Sequence, residues 1–192
     1  MKEDIVRIGR EAADLKARFI RRNAEAIQEV VRTLVDAFKA GNKVLLFGNG
    51  GSAADAQHLA GEFINRFLIE RPPLPAIALT TDTSVLTSIS NDYGYADSFS
   101  KQVKALGKEG DVAVAISTSG GAANVLKAAK VAREMGLKTV ALTGMNGGEL
   151  AKAVDIALIV DSQVTPRIQE VHITVGHIIC EMVDRMLFQQ PT

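Results

Sequence analysis

From residue 43 onward the chain repeats one pattern: a short unbroken apolar run, a turn of small residues, then a stretch with helical periodicity. Unbroken apolar runs leave no polar face for water, so each such strand must be covered on both sides. Alternation with helices achieves this when the strands lie parallel, because a parallel neighbour is reached only through a crossover. The runs fall at 43–47, 76–79, 111–116, 138–142 and 155–160. The expected fold is therefore a three-layer α/β sandwich around a five-stranded parallel sheet. Pro72-Pro73 and Pro75 mark an extended approach to the second run. The polar stretch between Thr80 and Ser98 is expected to carry a short helix over 85–89.

The first forty residues read as two helices. Ile5, Ile8, Ala12, Leu15 and Phe19 form a narrow seam, a break follows at Arg22-Asn23, and Asn23 serves as the next N-cap. Ile27, Val30, Val31, Leu34, Val35 and Phe38 then form a wider stripe that ends at Gly41. Two apolar helices ahead of the first strand need a cover, which points to an oligomer. The last helix is expected to start at Thr165 as N-cap, with Pro166 in its first turn, and to run to about Leu187. At 192 residues and 47% apolar, with no dividing linker, the chain is read as one domain over 1–192. Within it, 1–41 is the helical oligomerisation segment and 42–192 the α/β core.

Composition excludes several roles. Formal net charge is zero and no Lys/Arg track is present, so a nucleic-acid partner is not expected. No stretch suits a bilayer span and the N-terminus lacks a signal-peptide run, so neither is a membrane. The single cysteine, Cys180, fits a reducing cytoplasm, and its apolar setting assigns it to packing.

The chemistry begins at the first strand end. Gly48-Asn49-Gly50-Gly51-Ser52 lets the backbone turn tightly and bring N–H groups against an anion, and the following helix adds its free amides and dipole. The loop matches neither the dinucleotide nor the nucleoside-triphosphate glycine pattern. A ligand-free strand–helix turn would look the same, so the second loop matters. Ser117-Thr118-Ser119-Gly120-Gly121 follows the third run and opens another helix. Hydroxyls and amides without a fixed positive charge suit a sugar phosphomonoester better than a polyphosphate. Two such loops at successive strand ends read as one site.

Histidines are scarce: His58, His172 and His177. His58 and Glu62 are four apart on the helix after the glycine loop, so they can address one bound group. Gln169 and His177 are eight apart on the last helix, a rise of about 12 Å. Sharing one metal would demand extended side chains, a distorted helix start or ligands from different subunits, and His172 competes with His177. Mixed nitrogen and oxygen ligands are compatible with Zn²⁺. Asn91-Asp92 is expected to close the helix-like stretch and reads as a turn pair. Mid-helix Gly176 suggests close approach of another backbone or a ligand.

With these residues assembled, the chain resembles the sugar isomerase (SIS) domain family, and within it the branch that interconverts phosphorylated heptoses. The likeness is carried by GNGGSAADAQHLAGEF, LPAIALTTDTSVLTSISNDYGY, AISTSGGAANV, ALTGMNGGELA and RIQEVHITVGH, and spans nearly the whole chain. The resemblance implies a flavodoxin-like SIS domain that converts D-sedoheptulose 7-phosphate to D-glycero-D-manno-heptose 7-phosphate. It implies one zinc per subunit, bound by His58, Glu62, Gln169 and His177. Substrate contacts are implied at Asn49, Gly50, Gly51, Glu62, Asn91, Asp92, Ser117, Thr118, Ser119 and Gln169. It further implies a homotetramer with sites between subunits. Ala122 departs from the serine often found there, removing one phosphate-facing hydroxyl.

An aldose–ketose conversion needs a base to take a proton beside the carbonyl, an enediol, and an acid to return a proton to the neighbouring carbon. Glu62 is the expected base and His177 the partner acid, with zinc as an electrophile beside them. The two roles of Glu62 compete, because a carboxylate tied to zinc is a weaker base. Two other readings stand beside this one: an isomerase of another phosphosugar, and a non-enzymatic SIS adaptor that binds the replication initiator DnaA. One relative has the adaptor role, but there the equivalents of Glu62 and His177 are replaced.

Overall fold

The computed structural model describes residues 1–189. Five parallel strands form its sheet: β1 (Val44–Gly48), β2 (Ala76–Ala78), β3 (Val112–Ser117), β4 (Lys138–Gly144) and β5 (Ile156–Val160), in the order β2-β1-β3-β4-β5. The expected three-layer α/β sandwich is therefore present. Every residue of β1 and β3 is buried, as unbroken apolar runs demand. At the edge, β5 alternates between buried and half-buried because one face is less fully covered.

Alternate residues of each strand feed two cores. Val44, Leu46, Val114, Ile116 and Leu142 pack with α1 (Lys2–Lys39), α2 (Gly51–Ile64) and α7 (Thr165–Phe188). Leu45, Phe47, Ala113, Ala115 and Ala141 face α4 (Ser100–Leu106), α5 (Ala123–Glu134) and α6 (Gly148–Ala153). Small alanines on the second face let those helices lie close to the sheet. Among the described residues, no helix is long and apolar enough to cross a membrane.

Four expectations need correction. The N-terminal helices are one continuous α1, because Asn23 donates from its side chain to the Phe19 carbonyl one turn back, 2.9 Å away, and caps nothing. Phe19 and Ile27 lie on the same buried face, so the apolar stripe passes through residue 23 without losing phase. Thr165 is already inside α7; the N-cap is Val164, extended at φ −97° and ψ 102°, with its N–H bound to the Ser162 hydroxyl. The helix expected over 85–89 is α3 (Thr83–Tyr93), capped by the Asp82 carboxylate on the Val85 N–H, and α4 follows a single 3₁₀ turn. Finally, Asn91 and Asp92 lie in the last turn of α3, which Gly94 ends at φ 90°, so they are not a turn pair.

Candidate functional site

Strand order fixes where a ligand can sit. The chain leaves β1 through α2 to the edge strand β2, then returns to place β3 on the other side of β1. Crossovers at the carboxyl ends of β1 and β3 thus diverge, opening the crevice where doubly wound sheets bind ligands. Both polar loops lie at this crevice. Gly50 turns the first at φ 57°, a conformation that favours glycine, and no side chain caps α2. Ala122 is the N-cap of α5 and likewise brings no capping side chain. In the second loop Ser117 is buried, Thr118 half-buried and Ser119 exposed, with the Ser119 hydroxyl accepting from the Gly121 N–H at 3.2 Å.

The two loops are stitched together by Asn49 with partners the sequence did not single out. Asn49 and Asn124 exchange side-chain amide hydrogen bonds of 2.8 and 2.9 Å. The Tyr95 hydroxyl donates to the same Asn49 oxygen at 2.9 Å, and Asn124 also donates to the Ser98 hydroxyl at 3.2 Å. The Asn49 side chain is thus occupied in bridging the two loops. Only the adjacency of Asn124 to the second loop hinted at this in the sequence.

Further along α2, the expected His58–Glu62 pair forms, with His58 Nε2 3.2 Å from the Glu62 carboxylate. His177 arrives from α7, its Nε2 2.8 Å from His58 Nε2, one ring donating to the other. Phe67 walls the cluster, its ring centroid 5.5 Å from that of His177. One ligand atom from each of His58, Glu62 and His177 lies within 4.8 Å of the other two. Two imidazole nitrogens and one carboxylate oxygen converging in this way are a donor set that fits Zn²⁺.

Close approach of α2 and α7 produces the convergence. A Cβ on Gly176 would stand 2.6 Å from Leu59 Cδ2, so glycine here admits a side chain of the neighbouring helix rather than a backbone or ligand. This packing brings the His58 and His177 ring centroids to 5.0 Å, with the rings tilted by 53°. Gln169 lies at the other end of this helix pair: its amide nitrogen would be 2.5 Å from a Cβ on Gly51. It therefore lies over the glycine loop, two turns of α2 before His58. His172 does not join the cluster; it is buried and its Nε2 bonds the Thr143 carbonyl at 3.0 Å. Asn91 and Asp92 are exposed on α3, joined by a 2.9 Å hydrogen bond between their side chains. Cys180 is buried, and burial pushes its thiol pKa up, so it stays an inert packing group.

A profile of the SIS domain matches residues 9–144. Over 181 residues the chain is 54% identical to the phosphoheptose isomerase of Thermodesulfovibrio yellowstonii, covering 94% of this chain and 90% of that one. It is 52% identical over 190 residues to the phosphoheptose isomerase of Aquifex aeolicus, covering 99% and 100% of the two chains. Among solved structures, phosphoheptose isomerase GmhA from Neisseria gonorrhoeae superposes with a TM-score of 0.90 at 42% identity, covering 95% of this chain and 98% of that one.

Proposed function

The chain belongs to the SIS domain family, and from that premise we propose that it is a heptose-phosphate isomerase converting D-sedoheptulose 7-phosphate to D-glycero-D-manno-heptose 7-phosphate. One observation carries the reading: the helix whose first turn forms the glycine loop also presents Glu62 and His58 to His177. Gly51 and His58 are seven residues apart on α2, an axial distance of roughly 10 Å. An open-chain sugar phosphate of six or seven carbons spans a comparable length from phosphorus to carbonyl.

The phosphate is held by α2 and α5 amides, the backbone at Asn49, Gly50 and Gly51, and the Ser117, Thr118 and Ser119 hydroxyls. Gln169, at the glycine loop, hydrogen-bonds the sugar, and Asn91 and Asp92 bind its hydroxyls from α3. Glu62 takes the proton from C1 of the ketose; that C–H pair becomes the C1=C2 bond of an enediol, while O2 gains a proton from His177. Loss of the O1 proton and protonation at C2 then give the aldose, with no net redox change. His58, Glu62 and His177 would hold a zinc ion, with Gln169 of a neighbouring subunit completing the set. Such an ion supplies Lewis acidity at the carbonyl end of the sugar.

Exposed Ile5, Val6 and Ile8 on α1 support subunit contacts, and the enzyme is proposed to be a homotetramer with sites at its interfaces. It would act in the cytoplasm, at the first step toward ADP-heptose for lipopolysaccharide core. Segment 1–41 is its oligomerisation part and 42–192 its catalytic part. The test is NMR of purified protein incubated with sedoheptulose 7-phosphate and, separately, with pentose, hexose and amino-sugar phosphates. Conversion of the heptulose in preference to the others is expected. Preference for another phosphosugar would replace the substrate, and no conversion of any would remove the enzymatic reading.

A further inference from the structure

Glu62, half-buried, lies in the last turn of α2, which ends at Ile64. Terminal helix turns fray, since their carbonyls have no partner further along. Here the partner comes from Arg71, beyond the helix end. Its Nη2 donates to the Glu62 carbonyl at 2.8 Å, and its Nη1 donates to the Phe63 carbonyl at 2.6 Å. The same guanidinium places a full positive charge at the negative end of the α2 dipole. Leu74 N–H closes on the Phe63 carbonyl at 3.0 Å, and Pro72-Pro73 stiffens the segment between.

The third edge of the guanidinium crosses to the other catalytic helix. Arg71 Nε donates to Asp184 Oδ1 on α7 at 2.9 Å, with the two side chains 1% and 3% exposed. Asp184 is seven residues, two helical turns, beyond His177 and so lies on the same side of α7. Among the described residues its Oδ2 has no hydrogen-bond partner, and Arg71 is the cation paired with it. Cys180 lies between: after burial, the charges of Glu62 and Asp184 are what raise its thiol further, and Arg71 opposes them.

We propose that Arg71 and Asp184 form a clamp that fixes the last turn of α2 on α7, making both positioning residues that hold Glu62 opposite His177. The inference rests on the isomerase reading for its consequence and on the clamp geometry for its cause. A lysine at position 71 keeps the charge but loses the fork that reaches four carbonyls and a carboxylate together. An asparagine at 184 keeps the shape and removes the charge.

Arg71→Lys and Asp184→Asn are assayed on sedoheptulose 7-phosphate beside the native protein, and crystal structures of all three are compared. A fall in kcat of about 10–100-fold is expected, with KM within about twofold, an unchanged circular dichroism spectrum and the Glu62 carboxylate displaced from His58. A folded variant with native kcat overturns the clamp, as does a loss of kcat with Glu62 and His177 unmoved. Native-state hydrogen exchange covers the case in which both variants unfold. The amides of Phe63 and Ile64 should exchange nearly as slowly as the centre of α2, and fast exchange there overturns the clamp. Should the native protein convert no phosphosugar, the isomerase reading fails, and the clamp is judged on the exchange rates and crystal positions alone.

Discussion

His58 Nε2 and His177 Nε2 lie 2.8 Å apart although 119 residues separate them in the chain. Their meeting depends on Gly176, the residue before His177, which accepts the Leu59 side chain into the space a methyl group would fill. Two neighbouring positions on each helix thus set both the packing and the chemistry.

Gly176→Ala should push the two helices apart. Overpacking of this kind destabilises by about 1–3 kcal/mol, partly offset by roughly 1 kcal/mol of better helix propensity. The expected result is a lower melting temperature together with reduced turnover. Adding Leu59→Ala frees the space, so the double variant should be destabilised by less than the sum of the two singles. Additive losses in a thermal-melt cycle would contradict the contact.

Ala122→Ser restores a hydroxyl at an N-cap whose backbone is already extended, at φ −67° and ψ 116°. A serine N-cap in place of alanine typically stabilises by about 0.5–2 kcal/mol. The variant should melt higher and bind inorganic phosphate more tightly, both measurable by thermal shift with and without phosphate. Unchanged phosphate affinity would place the anion away from the start of α5.

Stability should also depend on pH through His172. Burial lowers its pKa from 6.5 to about 4, with the Thr143 carbonyl opposing the shift. Below about 6.5 the unfolded chain takes up a proton that the folded chain refuses. The folded state is therefore favoured fully above that pH and loses up to about 3 kcal/mol as pH falls toward 4. Urea unfolding at pH 8 and pH 5 should show a larger drop for the native chain than for His172→Gln. Equal drops would mean that His172 is not the group responsible.

The strands were legible because each is an unbroken apolar run, and the buried faces of β1 and β3 follow directly from that. The two loops were legible for a related reason, since their small and hydroxylic residues adjoin those runs. What escaped depended on partners distant in sequence. Asn23 looked like a cap because asparagine caps helices, but its amide turned inward to Phe19 once α1 had a sheet to pack on. Gln102, which no sequence pattern marked, is buried in α4 with its amide donating to the Leu79 and Ser98 carbonyls. Arg71 sat in a proline-rich approach that read only as extended chain, because its four carbonyl acceptors and Asp184 assemble only in three dimensions. For the site, helical spacing gave His58 with Glu62, whereas no local pattern could choose His177 over His172. That choice was made by the face of α7 that meets α2.

Glu62 beside two imidazoles, on the helix that begins at the glycine loop, is the arrangement on which the functional account stands. The most direct measurement is turnover of sedoheptulose 7-phosphate in D₂O by native and Glu62→Gln proteins, followed by ¹H NMR. Native protein should produce the aldose with deuterium at C2, while the variant, with an unchanged melting temperature, should be slower by about 10²–10⁴-fold. Near-native turnover by Glu62→Gln would contradict the account.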